Sequence, residues 1–423
     1  MQKVADAVGV SSTRLLALGL WCDAAPFNRD RSKSLEMMTL NLPGIDTDMR
    51  IPLVAMPKDF FLKANATYDQ LLEVVAWSFD ILLSGKFPSK RHDGTPFRKN
   101  DVQRQKYKDL SLQRSILTEI RGDWAFYKHQ LRLPGWREKA GCCWRCNCTK
   151  EQVAEVHSEA AWRKPEARLS HQDVLLRALE KGKTVSPMFA IPFCIVELCM
   201  IDWLHAVDLG VCPEFLGSIF NLFLEVLPGS NETEKCNALF VRIRQYYAEH
   251  ECSSRLNRLC PTMLNKSNGK FPKLRAKAGE ARDLVLFAKE TADELLGNST
   301  EHVAAKSCAS SLLECYQCLS EDTFESRKFS AATTKYALQY VGLSALANAQ
   351  GVRRWAVKPK LHLFLELSVC AETTPSKYWT YRDESFGGFV SSMCERRGGA
   401  LTPISVGTSF FDRFAALHEV PSF

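Results

Sequence analysis

The amino-acid sequence predicts an α/β chain: a set of strands carrying acids at their ends, interrupted by a long helical stretch. Three observations lead there. Apolar runs of strand length recur at Leu15–Cys22, Leu35–Leu42, Arg50–Met56 and Ser115–Phe126. One segment of clear helical period sits between the third run and the fourth. From Pro213 to about Ala349 nearly every segment has helical spacing, and such a block inside a strand-bearing chain reads as an insertion.

Taken in order, Leu15–Cys22 (LLALGLWC) is an unbroken apolar run that stops at Asp23. This is the pattern of a strand buried on both faces whose C-terminal end presents an acid. The turn-rich AAPFNRDRS follows. Leu35–Leu42 and Arg50–Met56 are the second and third strands, parted by the Pro43–Gly44 turn signal. In Tyr68–Leu83, Leu71, Val75, Phe79 and Leu82 fall on one helical stripe, with Thr67 as N-cap and Gly85 as the stop. Ser115–Phe126 (SILTEIRGDWAF) returns to strand character and again carries an acid, Asp123, near its end. Helical patterns follow at Gln152–His157 and Gln172–Gly182, and Phe193–Met200 is a fifth strand candidate. The helical block comprises Phe215–Val226, Cys236–Ala248, Ala281–Leu296, His302–Leu319 and Ala331–Ala347. A segment Lys358–Glu366 then precedes an acid-started helix near Asp383–Arg397. The expected organisation is a core in two parts, 1–212 and 351–423, with a Cys-rich insert near 140–172 and the helical insertion at 213–350.

With 423 residues, 46% of them hydrophobic, the chain buries at least one large core. Its 55 Lys+Arg exceed 48 Asp+Glu by a formal +7, an excess too mild to identify a partner by itself. No signal-peptide pattern is visible, and Met188–Ile201 is too short to span a bilayer and contains Glu197. Sixteen cysteines without an export signal read as free thiols or metal ligands in a reducing compartment, cytoplasm or nucleus.

The succession WCDAAPFNRDRS, IRGDWAF, CCWRC, IDWLHAVDLGV and YRDESFGG resembles eukaryotic cut-and-paste transposases of the CACTA (En/Spm, Tnp2-like) group, with hAT elements as more distant cousins. The resemblance runs from Leu15 to about Arg397. It implies an RNase H-like fold, a mixed sheet with acids on the first strand, the fourth strand and a late helix. Carried over, these acids are Asp23, Asp123 and Glu384, with Asp383, Glu366 and Glu372 near the last of them. The downstream Asp-x-x-His motif matches Asp202 and His205, which the resemblance puts near the metal site. It further implies double-stranded DNA as substrate, a homo-oligomer for pairing two DNA ends, a nuclear location and no membrane. The strand pattern starts so early that no separate upstream DNA-recognition module is expected.

The chemistry suits those residue types. Cutting a phosphodiester needs an activated water or 3′-hydroxyl and a stabilised leaving oxygen, which two Mg²⁺ or Mn²⁺ ions about 4 Å apart provide. Hard cations take carboxylate oxygens, so three acids from distant positions fit. Taken singly, Asp23 and Asp123 also read as turn residues, and Glu384 as an ordinary helix N-terminal acid.

Cys142, Cys143, Cys146 and Cys148 crowd into one run, and the Cys143–Cys146 spacing can close on a structural Zn²⁺. Half a tetrahedral site needs partners: His171 is the first candidate, with Cys148 or His157 behind it. Unliganded thiols are the alternative, and a redox pair would want a βαβ context absent here. Cys315 and Cys318, three apart in a helical pattern, read as core. Basic clusters lie at Lys86–Lys108, Arg132–Lys139 and Arg353–Lys360, with Trp136 and Trp355 interleaved in the last two. Each reads either as a phosphate-binding surface or as a solvated face. Two rivals stand beside an active enzyme: a domesticated derivative that binds DNA or chromatin without cutting, and a zinc-stabilised helical interaction protein.

Overall fold

A computed structural model describes residues 2–9, 11–26, 32–45, 47–139, 141–264, 270–395 and 403–418. Residues 27–31 of the first turn, and 396–397 at the end of the last expected helix, lie outside the described residues. The chain is mixed α/β and divides into two compact units: Met1–Gly135 with Leu169–Met200 and Thr380–Phe423, and Trp136–Arg168 with Ile201–Trp379.

The first unit holds a four-stranded mixed sheet. Its strands are β1 (Leu16–Pro26), β2 (Ser34–Asn41), β3 (Ile51–Pro57) and β4 (Ser115–Gly122), in the order β3-β2-β1-β4. β2 is antiparallel to both neighbours, and β4 runs parallel to β1. Helix α1 (Gln2–Val8) precedes the sheet and tucks Ala5 against Leu15 and Ile116. A parallel pair cannot be joined by a tight turn, and α2 (Ala66–Ser84) makes the crossover, burying Tyr68, Leu72, Val75, Ala76 and Phe79. It stops at Gly85, whose φ of 72° is cheap only without a Cβ. The N-cap position is Asn65 rather than Thr67, whose Oγ1 instead accepts the Leu62 N–H at 2.9 Å. A basic arm carrying the short α3 (Val102–Lys106) leads on to β4.

In the register of β1 and β4, Cys22 faces Gly122, so Asp23 and Asp123 leave neighbouring strands at the same end. Gly19, in mid-β1, leaves room for a buried polar pair. The Asn41 side chain donates to Glu119 Oε1 at 2.8 Å, and a Cβ on Gly19 would sit 2.4 Å from Asn41 Oδ1. β4 ends four residues earlier than the sequence pattern suggests. Asp123 takes an N-cap conformation and its carboxylate accepts the Phe126 N–H at 2.6 Å, which starts α4 (Trp124–His129).

Phe193–Met200 is not a strand. Phe193, directly after Pro192, is left-handed at φ 61°, and Val196–Leu198 forms a 3₁₀ turn. The extended pattern survives only as a single parallel bridge from Cys199 to Ile120, with Met200 N–H on Ile120 O at 2.9 Å. Before it, α5 (His171–Glu180) starts from a Ser170–Asp173 capping box.

The second unit is helical. Gln152–His157 is reduced to a 3₁₀ turn at Glu151–Ala154. A π-helix, Leu204–Val211, runs straight into α6 (Cys212–Val226), and the two together are long and apolar enough to cross a membrane. They are almost wholly buried inside the unit, as a core helix is. Around them pack α7 (Glu232–Glu249), α8 (Ala278–Leu295), α9 (Thr300–Gln317), α10 (Ser326–Ala349) and α11 (Pro359–Cys370). The expected segment Lys358–Glu366 is thus most of a helix. Wide π-helical turns leave carbonyls without their usual partners, and Lys360 Nζ donates to His205 O at 2.7 Å and Leu209 O at 3.3 Å.

Part of the Arg353–Lys360 cluster belongs to this core, while Arg353 and Lys358 are exposed. Arg354 is buried between Glu225 and Glu301, at 2.5 and 3.0 Å. Trp355 is fully buried and donates its indole N–H to Glu301, while Lys358 pairs with Glu214 at 2.6 Å. Cys315 and Cys318 are buried in the same helical core, as their spacing suggests.

The chain then returns to the first unit with α12 (Tyr381–Glu395) and α13 (Pro403–Leu417). Val390, Cys394 and Phe410 from these helices close a core with Trp21, Leu35, Met37 and Ala55 of the sheet.

Candidate metal centres

The first centre lies in the sheet unit. Asp23 on β1 and Glu384 in the first turn of α12 bring carboxylate oxygens within 4.8 Å of each other. Asp123 stands at the same end of the adjoining strand. All three are half-buried. Two are held by backbone amides: Asp23 Oδ1 accepts the Ala24 N–H at 2.6 Å, and Asp123 Oδ1 accepts that of Phe126 at the same distance.

The neighbouring acid, Asp383, points elsewhere. It is fully buried, paired with the Arg50 guanidinium and with Arg121 Nη1 at 3.2 Å. Arg121 also meets Glu119 at 2.6 Å. Adjacent residues of one helix turn therefore divide the work. Asp383 fastens α12 to the sheet and Glu384 faces Asp23. Gly387, one turn on, permits the close approach, since a Cβ there would lie 3.2 Å from both Trp21 and Met37 side-chain atoms. Of the other acids weighed for this role, Glu372 is exposed and Glu366 belongs to the second centre.

Beneath Asp23 the Cys22 thiol is pushed well above its usual range by burial, with the charges of Glu36 and Asp23 adding to the effect. That thiol is therefore protonated and offers no nucleophile at neutral pH.

In the second unit, Asp202 and His205 hold each other. Asp202 Oδ2 accepts both the His205 N–H at 2.9 Å and contacts its Nδ1 at 2.7 Å. Such a bond fixes the ring's orientation and tautomer.

The second centre also lies in the helical unit. Cys143, Cys146, His362 and Glu366 are all buried, and each brings one potential ligand atom within 4.8 Å of the others. Cys146 Sγ is 3.3 Å from His362 Nε2, and His362 Nε2 is 3.7 Å from Glu366 Oε1. A tetrahedral zinc with ordinary bond lengths has S–N and N–O edges of about 3.5 and about 3.3 Å, so these four atoms already approximate one coordination shell. His362 and Glu366 share a face of α11 because they are four residues apart. Arg168 grips the Glu366 carboxylate at 2.8 and 2.9 Å, and the Trp162 ring sits edge-on to His362 with centroids 4.5 Å apart. Burial pushes the Cys143 thiol well up, helped by its hydrogen bond with Cys146 and the charge of Glu366. A buried thiol, imidazole and carboxylate with so little solvent around them form a costly group that a cation would neutralise.

His171, expected as the third ligand, instead accepts the Val196 N–H on Nδ1 at 3.2 Å and packs on Phe189. His157 is exposed, and Cys148 lies beside the pair in hydrogen-bond contact with Cys142 and Cys146. The missed ligands did leave a trace in the sequence: in LHLFLEL a histidine and a glutamate, four apart, interrupt an otherwise apolar helix. No protein-family model matches the chain, and no curated protein matches it.

Proposed function

We propose that the first unit is a metal-dependent phosphodiester-cutting domain of the transposase kind, RNase H-like in plan, acting on double-stranded DNA. One observation carries the reading. Asp23 on the inner strand β1 and Asp123 just after the parallel edge strand β4 stand at the same end of the sheet, and a third acid, contributed 261 residues after Asp123, arrives within 4.8 Å of the first. The origin of the three acids, on the first strand, after the fourth and on a late helix, supports this reading. A nuclear location and pairing of two DNA ends by at least a dimer belong to the same proposal.

The three half-buried carboxylates are donors that fit Mg²⁺ or Mn²⁺. Asp23, Asp123 and Glu384 would hold the ions. When bound, such ions place positive charge beside the attacking and departing oxygens of an in-line displacement. The protein's own part is to aim the carboxylates. Backbone amides fix one oxygen each of Asp23 and Asp123. The two arginines on Asp383 hold the turn from which Glu384 projects.

In the second unit Cys143, Cys146, His362 and Glu366 fit a structural Zn²⁺, since thiolate and imidazole donors in a closed, buried setting suit that ion. Arg168 is the outer partner that orients the glutamate.

The test is nicking of supercoiled DNA by the purified chain with Mg²⁺ or Mn²⁺. Activity should be lost with chelator and fall at least ~100-fold in Asp23→Asn and Glu384→Gln, with unchanged circular dichroism. Binding of DNA and Mn²⁺ without nicking would replace this reading with that of a domesticated DNA-binding protein.

A further inference from the structure

Between α2 and β4 the chain forms an arm, residues 86–111, closed at its root by a bridge between Lys86 and Ser111 and near its tip by one between Lys90 and Pro96. Phe87 N–H to Leu110 O at 2.7 Å and Asp109 N–H to Phe87 O at 3.1 Å tie the two sides. Eight of its residues are Lys or Arg: Lys86, Lys90, Arg91, Arg98, Lys99, Arg104, Lys106 and Lys108. All but the half-buried Arg91 are exposed, and none of the eight forms an ion pair among the described residues. Three carboxylates lie among them, of which Asp109 is exposed and the other two are engaged by local groups. Asp93 accepts the Thr95 N–H and hydroxyl at 2.9 and 2.6 Å, and Asp101 accepts the Arg98 N–H at 3.0 Å. Phe87 and Tyr107 pack edge to face behind this surface, and Trp77 of α2 meets His92 near the tip. An ordinary solvated face intersperses both signs of charge and pairs many of them. Here eight cations outnumber three acids on a braced scaffold.

We infer that this arm is a docking surface for the phosphate backbone of double-stranded DNA. The choice of DNA rests on the proposed cutting activity; the surface itself rests on its charge. β4 is eight residues long and has the arm at its start and Asp123 at its end. The arm's root therefore lies about 26 Å from the acids at ~3.3 Å per residue. This equals about eight base pairs at ~3.4 Å each, so the arm grips backbone flanking the cut and not the cut phosphate. Its contacts are phosphate contacts, which set register on the duplex without reading sequence.

The experiment uses the full chain and a 30-base-pair duplex of arbitrary sequence, with affinity measured by fluorescence anisotropy across a salt series in Ca²⁺. Wild type is compared with a variant carrying Lys86→Gln, Lys90→Gln, Lys99→Gln and Lys108→Gln, and with the same four changed to Arg. Each phosphate contact contributes about −0.9 to the slope of log affinity against log salt. The Gln variant should lose up to about 3.6 of slope and bind at least about tenfold more weakly at 0.1 M salt, whereas the Arg variant should match wild type. An unchanged slope in the Gln variant overturns the inference. So does displacement of the duplex by polyglutamate at a lower charge concentration than by competing DNA, which would mark an acidic protein as the partner. Plasmid nicking by wild type, assayed in parallel, separates the two claims. Arm-dependent binding without nicking removes the cutting activity alone, and nicking with an arm-independent slope removes the arm alone.

Discussion

Replacing Asp383 by Ala isolates the fastening of the late helix from the chemistry of its neighbour. Asp383 has no exposed surface, and Arg50 and Arg121, which flank it, keep only 4% and 5% of theirs. Removing the carboxylate leaves Arg121 with Glu119 at 2.6 Å. Arg50 keeps the Met49 carbonyl at 3.0 Å. Breaking a buried pair from one side typically costs about 3–5 kcal/mol, because a desolvated charge loses its counter-ion. The Glu119 contact shields one of the two arginines, so about 3 kcal/mol is the expected loss. Out of a typical total near 5–15 kcal/mol, that is a large fraction. Urea unfolding followed by circular dichroism and by the fluorescence of Trp21 in this core reads it directly. Glu384→Gln, next door and half-exposed, should shift the same curve by less than about 0.5 kcal/mol while abolishing Mn²⁺ binding. A loss under about 1 kcal/mol for Asp383→Ala, or a larger loss for Glu384→Gln, would refute this division of labour.

Further outcomes follow from other contacts. The purified chain should carry one zinc ion by elemental analysis, and Cys146→Ser or His362→Ala should lose it and lower the stability of the helical unit by about 3 kcal/mol or more. Arg168→Met should keep that zinc but weaken its affinity about 10- to 100-fold, measured by competition with a chromogenic chelator. Gly217→Ala in α6 would put a Cβ 2.4 Å from the Lys273 backbone. It should cost about 1–3 kcal/mol of overpacking in thermal unfolding, while Gly342→Ala, which meets nothing within 4 Å, should be neutral or slightly stabilising. Gly85→Ala, at φ 72° and against the Arg114 side chain, should cost about 1 kcal/mol in the same assay.

The elements with a strong local signal were legible in the sequence. Leu15–Cys22 reads as a buried strand because it is one, flanked on both sides in the sheet, and α2 announces its length through its apolar stripe and Gly85. Each expected helix of the 213–349 block is present, within a few residues of its bounds. What failed depended on weak local signals or on contacts between residues distant in sequence. Phe193–Met200 has the composition of a strand, but Pro192 and the left-handed Phe193 turn the chain before a ladder can form. In Arg353–Lys360 composition alone does not reveal that Arg354 and Lys358 pair with Glu225, Glu301 and Glu214, all distant in sequence. Asp383 and Glu384 are indistinguishable by type and position. Only the two arginines that bury the first reveal which acid is left for the site. The second pair of cysteine-site ligands lies 216 residues from Cys146, at a range where spacing carries no information.

The placing of α12 and α13 at the far end of the chain has a consequence for synthesis. The apolar side of the sheet, with Trp21, Leu35, Met37 and Ala55, is complete once Pro57 has been made, but its cover comes from Val390, Cys394 and Phe410. At roughly 5–20 residues per second, the ribosome needs on the order of 20–70 s to deliver them. For that interval a nascent sheet shows a sticky side to the cell, and a stop codon anywhere in the helical unit leaves it bare for good. Newly made chains should therefore lean on holding chaperones until the last helices emerge, and prematurely terminated ones should be found in inclusion bodies.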